Sequence, residues 1–191
     1  MTRLGILGSG SGSNMQAIID AIAREELDAE IALVLSDIPD AYILERARRH
    51  QLPCGVIDCH GFRSKFPVAA QAETARRLRE AGCELICLAG FMRLVKGPLL
   101  DAFPERILNI HPSLLPAFPG LEAWKQAVEA GASESGCTVH HVDAGMDTGP
   151  IIAQAKVPVL PDDSPATLHA RIQEQEHQLY PAAIRQIISQ F

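Results

Sequence analysis

The opening of the chain most constrains its fold. Residues 3–7 form an apolar run that reads as a buried strand, and it breaks into Gly8-Ser9-Gly10-Ser11-Gly12-Ser13-Asn14. Helical spacing follows at once, with Met15, Ile18, Ile19 and Ile22 on one face. Strand, Gly/Ser turn and amphipathic helix in direct succession begin a βα unit. The N–H groups of such a turn and the positive end of the helix dipole both favour an anion. Ser13 stands where G-x-G-x-x-G would place its last glycine, and no Gly-Lys-Ser/Thr follows. The dinucleotide and Walker A patterns are therefore both absent, and a monophosphate suits the loop better. A plain tight turn is the alternative, although it does not need three glycines alternating with three serines.

The alternation then repeats. Residues 30–35 read as a second strand, 41–50 as a helix, 54–57 as a short third strand, and a loop from His60 to Lys65 leads into a helix ending near Ala81. Residues 85–89 are apolar on both faces, as a central parallel strand requires. They run into Gly90-Phe91-Met92-Arg93-Leu94-Val95, a mostly apolar loop against which a flat heteroaromatic ring could lie. Packing alone would also account for it. Short connections between strands and helices predict an α/β fold with a doubly wound, mostly parallel, Rossmann-like sheet and helices on both faces. Residues 137–142 and 151–157, joined by the 143–150 loop, add an antiparallel excursion. Ser164-Pro165 starts a last helix, with Ser as cap and Pro in the first turn. Pro181 is expected to kink or break that helix, because it removes the bond to the His177 carbonyl. A chain of 191 residues fits one domain.

Arg106-Ile107-Leu108-Asn109-Ile110-His111-Pro112-Ser113-Leu114-Leu115-Pro116 carries the chemistry. Period-two alternation puts Asn109 and His111 on one side of a strand, opposite Leu108 and Ile110. Pro112 ends the ladder. A carboxamide and an imidazole thus lie together at the carboxyl end of a strand, the edge where open α/β sheets bind ligands. Histidine moves protons near neutrality and asparagine donates to a developing oxyanion. A polar pair that merely closes a strand end is the other reading. By the same alternation His140 and His141 point apart, cannot share a metal, and read as ordinary strand side chains.

Composition narrows the classes. A net charge of −6 gives no electrostatic case for nucleic acid. Five cysteines without a C-x-x-C pair fit free thiols in a reducing compartment, with neither a disulfide frame nor a zinc site. No run approaches membrane-spanning length, and Met1-Thr2-Arg3 leads straight into a strand without a signal-peptide pattern, so the cytoplasm is the expected location.

Together these pieces resemble the phosphoribosylglycinamide formyltransferase family of folate-dependent enzymes. The resemblance rests on Gly10-Ser11-Gly12-Ser13-Asn14, Leu88-Ala89-Gly90-Phe91-Met92-Arg93, the Leu108–Pro116 stretch, Val139-His140-His141-Val142 with Met146-Asp147-Thr148-Gly149-Pro150, and Gln175-Glu176-His177. It implies a formyltransferase domain over residues 1–191, with the ribonucleotide on the N-terminal side and folate and chemistry on the C-terminal side. It implies 10-formyltetrahydrofolate as co-substrate, 5-phosphoribosylglycinamide as acceptor, and no metal. Asn109, His111 and Asp147 would be catalytic. Gly12, Ser13 and Asn14 would hold the phosphate, and Gln173 and Glu176 would face the ribose and glycinamide. Lys65, Met92, Arg93, Leu94, Val95, Asn109, Asp143, Ala144, Gly145, Met146 and Asp147 would contact the folate. Lys65 departs from the arginine expected there. A 10-formyltetrahydrofolate hydrolase, another folate-dependent formyltransferase or a non-catalytic phosphate-binding module are the competing readings. Neither membrane nor nucleic acid is an expected partner, and a homodimer stays open.

Overall fold

The computed structural model describes residues 1–62 and 65–191. In chain order the elements are β1 (Thr2–Leu7), α1 (Ser13–Ala23), β2 (Ala29–Ser36), α2 (Tyr42–Arg49), β3 (Cys54–Val56), α3 (Val68–Glu80), β4 (Leu85–Leu88) and α4 (Pro98–Ala102), followed by β5 (Ile107–His111), α5 (Ala123–Glu129), β6 (Glu134–His141), β7 (Ile151–Pro158) and α6 (Pro165–Ile188). Among the described residues the strands form one seven-stranded sheet in the order β3-β2-β1-β4-β5-β6-β7. The pairings from β3 through β5 are parallel, and β6 and β7 run antiparallel to their neighbours. The doubly wound sheet with an antiparallel excursion is therefore the observed architecture.

Alternation along the central strands divides the core between two faces. Leu4, Ile6, Leu85, Cys87, Leu108 and Ile110 pack with α1, α2, α5 and α6. Leu7, Ile86, Leu88 and Ile107 pack with α3 and α4. The order of strands reverses between β1 and β4, which opens a crevice at their carboxyl ends. The loops after β1, β4 and β5 all meet there.

One helix lies outside the sequence reading, and one expectation needs correction. The short α4 had no periodic signature, and a proline at its first turn starts it. Pro181 does not break α6, which is continuous from Pro165 to Ile188. An interior proline costs roughly 3 kcal/mol. Leu168, Ile172, Tyr180 and Ile184 are fully buried along the same helix, and each large apolar side chain contributes about 1.5–3 kcal/mol on burial. Burial outweighs the lost hydrogen bond. The Tyr180 hydroxyl also lies 2.9 Å from the Leu88 carbonyl and 3.1 Å from the Leu108 carbonyl, tying α6 to β4 and β5. The start of α6 is as expected: the Thr167 N–H donates to Ser164 Oγ over 3.2 Å, and the Ser164 N–H donates to Thr167 Oγ1 over 3.0 Å.

Candidate active site

The crevice is a cavity of about 720 Å³, lined from both halves of the chain. Gly10 to Asn14 form one wall, the 88–95 segment another, and Asn109, His111 and Asp147 lie between them and α6.

The Gly/Ser loop turns sharply into α1. Gly12 has φ +74°, and a Cβ there would come within 2.9 Å of the Ile43 backbone. Its lack of a side chain serves the packing of the loop on α2. Gly10 is exposed at the cavity, with open space where a Cβ would stand. Asn14, in the first turn of α1, donates from Nδ2 to Glu176 Oε2 over 3.0 Å. Glu176 is only 5% exposed. Burial pushes its carboxyl up to about 7, a rise partly offset by the Asn14 bond. Gln173 lies one turn earlier on α6 and lines the same cavity.

The 88–95 segment is fastened from behind. Arg93 Nε lies 2.6 Å from Asp37 Oδ2, with the side chains 4% and 3% exposed. Arg93 Nη1 also donates to the carbonyls of Phe62 and Lys65. Ser9 Oγ donates to Asp37 over 2.5 Å and accepts from the Met92 N–H over 2.9 Å. The Arg93 guanidinium is thus committed to the protein. Met92 and Leu94 are exposed at the cavity rim, and Val95 is buried beside them.

Asn109 and His111 share the strand face that alternation assigns them. In the antiparallel register Asn109 pairs with His140, and Asn109 Nδ2 lies 3.1 Å from His140 Nε2. His140 Nδ1 lies 2.8 Å from the His141 carbonyl. These partners assign the proton to Nδ1 and leave Nε2 to accept from Asn109. One amide hydrogen of Asn109 is then free for the cavity. His111 Nε2 lies 2.9 Å from the Phe118 carbonyl, which assigns its proton to Nε2. Its Nδ1 is 3.4 Å from Asp147 Oδ2. Asp147 Oδ1 is 3.7 Å from His140 Nε2, and Oδ2 accepts from the Gly120 N–H over 2.8 Å. Asp147 has φ +54°, a left-handed conformation held by these contacts.

The electrostatics differ in one respect from the simple expectation that a carboxylate raises its histidine. Burial holds the His111 imidazole below its ordinary value, and Asp147 and the Phe118 carbonyl only partly restore it. For Asp147, burial pushes upward, but His140, the Gly120 N–H and His111 outweigh it and leave the carboxyl below the usual range. A neutral imidazole therefore faces an ionised carboxylate at neutral pH.

Among the described residues, the structure brings Gly12, Ser13, Asn14, Met92 to Val95, Asn109, Asp143, Gly145, Met146, Asp147, Gln173 and Glu176 to one cavity. It does not bring Ala144 or Lys65 there. The Lys65 ammonium sits 5.5 Å over the Phe62 ring instead. The preceding loop positions Arg63 and Ser64 lie outside the described residues. No group of three or more His, Cys, Asp or Glu among the described residues is arranged to hold a metal ion.

A formyl transferase family model matches residues 2–184. The chain belongs to the formyl transferase family. It is 43% identical over 188 residues to the phosphoribosylglycinamide formyltransferase of Bacillus subtilis, covering 98% of this chain and 95% of that protein. It is also 47% identical to the trifunctional purine biosynthetic protein adenosine-3 of Drosophila melanogaster, covering 98% of this chain but only 14% of that much longer protein. The crystal structure of glycinamide ribonucleotide transformylase 1 from Symbiobacterium toebii superimposes with a TM-score of 0.93 at 55% identity, covering 97% of this chain and 86% of that one.

Three features of this formyl transferase escape local sequence patterns. His140 reads as an ordinary strand residue, yet its cross-strand register places it on Asn109. Trp124 of α5 stacks on His169 of α6, with centroids 3.7 Å apart and planes at 6°, and both line the cavity. The 118–121 segment delivers a carbonyl to His111 and an N–H to Asp147. Only the pairing of β5 with β6 offered a signal, and that contact is non-local.

Proposed function

We propose that this chain transfers the formyl group of 10-formyltetrahydrofolate to the amine of 5-phosphoribosylglycinamide, as a formyltransferase unit with its ribonucleotide side in the N-terminal half and its folate and catalytic side in the C-terminal half. One observation carries the reading: an anion-suited Gly/Ser turn and the Asn109, His111, His140 and Asp147 cluster open into the same cavity. Cytoplasmic location goes with it. No helix is long and apolar enough to cross a membrane, among the described residues.

In this reading the N–H groups of the 10–14 turn and the α1 dipole hold the phosphate. Gln173 and Glu176 face the ribose and glycinamide. The 92–95 backbone and the 143–147 loop flank the pterin. The amine lone pair attacks the formyl carbon, giving an oxyanion and a cationic nitrogen. The free amide hydrogen of Asn109 donates to the oxyanion, while His140 fixes the amide plane. His111 Nδ1 is unprotonated and accepts a proton from the attacking nitrogen, directly or through water. Asp147 stabilises the imidazolium that results. Collapse then breaks the bond to the folate N10, which takes up the proton held by the His111 imidazolium, directly or through water, and releases tetrahydrofolate.

The test follows folate absorbance during incubation with 10-formyltetrahydrofolate, with and without the ribonucleotide. Tetrahydrofolate release that requires the ribonucleotide, with formylated product, supports transfer. Release at the same rate without it would make the chain a hydrolase. No release in either arm would overturn both enzymatic readings.

A further inference from the structure

The 118–121 segment presents alternate polar groups to opposite sides. On the inner side the Phe118 carbonyl accepts from His111, and the Gly120 N–H donates to Asp147 Oδ2 over 2.8 Å. On the outer side Gln126, one turn into α5, donates from Nε2 to the carbonyls of Pro119 over 3.2 Å and Leu121 over 2.9 Å. The Pro119 carbonyl and the Gly120 N–H belong to one peptide unit. A continuous chain therefore runs from the Gln126 amide through that peptide to Asp147. Hydrogen bonds in series polarise one another and fix the plane of the group they share.

The segment also needs holding. Phe118, Gly120 and Glu122 have φ of +53°, +81° and +52°. Left-handed backbone at non-glycine residues is costly and persists only where surrounding contacts impose it. Gln126 bonds the two carbonyls that bracket Gly120.

We infer that Gln126 is a positioning residue for the reaction: through the Pro119–Gly120 peptide it orients the donor to Asp147 and keeps the Phe118 carbonyl on His111. The inference rests on the catalytic reading of Asn109, His111 and Asp147 given above. Other groups face this cluster: His140 from β6, and His169 of α6, stacked on Trp124 two residues before Gln126. They are common to every variant below.

Gln126→Met keeps length and helix propensity while removing both donors. A misplacement of about 1 Å at a catalytic group costs up to about a hundredfold in rate. The expected result is a fall in kcat of about ten- to a hundredfold, with the ribonucleotide KM and thermal midpoint close to wild type. The His111 titration, followed by imidazole NMR in the ligand-free protein, should move further below the ordinary histidine value, because the Phe118 carbonyl and Asp147 that partly hold it up lose their alignment. Gln126→Lys, which restores donors, should recover much of kcat. An unchanged kcat and an unchanged His111 titration in Gln126→Met would overturn the inference, as would a loss of kcat explained wholly by a lower thermal midpoint with the titration unmoved. Failure of wild-type enzyme to transfer formyl would count against the function itself. The NMR comparison would still decide whether Gln126 orients His111.

Discussion

Asn14 and Glu176 join the first helix to the last: the Asn14 amide donates to the Glu176 carboxyl over 3.0 Å, across 162 positions of sequence. The bond joins two residues that line the cavity and links the Gly/Ser turn to the α6 face that carries Gln173. Because Glu176 is buried, its charge state is coupled to folding.

Glu176 should make the ligand-free protein less stable at higher pH. Its folded value of about 7 lies above the ordinary 4.5. Between these values the folded state keeps a proton that the unfolded chain has released. The contribution is full below about pH 4.5 and is lost as pH rises through 7. The shift corresponds to about 3 kcal/mol. Glu176→Gln keeps a partner for Asn14 and removes the titration. Its thermal midpoint relative to wild type should rise between pH 5 and pH 8, while ribonucleotide binding weakens. Parallel midpoint curves would show that Glu176 does not titrate in this range. Glu176→Ala is a poorer probe, since it also leaves a cavity and an unpartnered Asn14.

Gly10 and Gly12 should separate binding from folding. Gly10→Val adds a side chain into open space and should raise the ribonucleotide KM about tenfold or more, since each hydrogen bond to a charged group contributes about 1.5–3 kcal/mol. Folate binding and the thermal midpoint should hold. Gly12→Val meets Ile43 and a positive φ, and should lower the thermal midpoint first. The reverse pattern in paired melting and kinetic measurements would place the accessible backbone at Gly12.

The Asp37–Arg93 pair should be costly to break. Asp37→Ala leaves a buried guanidinium with only carbonyl acceptors and removes the partner of Ser9. Losing one member of such a pair costs about 3–5 kcal/mol. Urea unfolding should show that loss, and the KM for the folate should rise as the 92–95 backbone loosens. A stability change under 1 kcal/mol, about what an exposed pair contributes, would mean that water reaches the pair.

Much of this was legible in the chain itself. Strand periodicity placed Asn109 and His111 together because alternation is local, and the apolar runs of β1, β4 and β5 announced a buried parallel sheet. The role of His140 was not legible, because it depends on the register between β5 and β6. Periodicity separates His140 from His141 but does not say which of them meets Asn109. Pro181 misled for the opposite reason. A local rule for breaking helices was overridden by burial of Tyr180 and Ile184, which sequence alone does not weigh. The second constraint on Gly12 was not legible either: it lines the cavity, but a Cβ there would also meet Ile43, from a different helix.

The proposed catalytic roles of Asn109, His111 and Asp147 make the sharpest prediction. Asn109→Ala removes the free amide hydrogen aimed at the oxyanion, and loss of one such donor lowers kcat about a hundred- to a thousandfold. Asp147→Asn keeps an acceptor for Gly120 but removes the charge, and a drop of similar order is expected, with ribonucleotide affinity little changed. The pH profile separates a catalytic role from a loop role. His111 already lies below the ordinary histidine value because burial outweighs Asp147. Removing the carboxylate charge takes away one of the influences that hold it up, so His111 should titrate lower still. His111 must be neutral at Nδ1 to accept a proton, so kcat falls on the acid side as it becomes charged. The acid limb of kcat should therefore sit below the ordinary histidine value in wild type and move to lower pH in Asp147→Asn, beneath a much reduced plateau. A wild-type plateau with an unmoved acid limb in Asp147→Asn would leave the carboxylate as a loop residue that serves only Gly120.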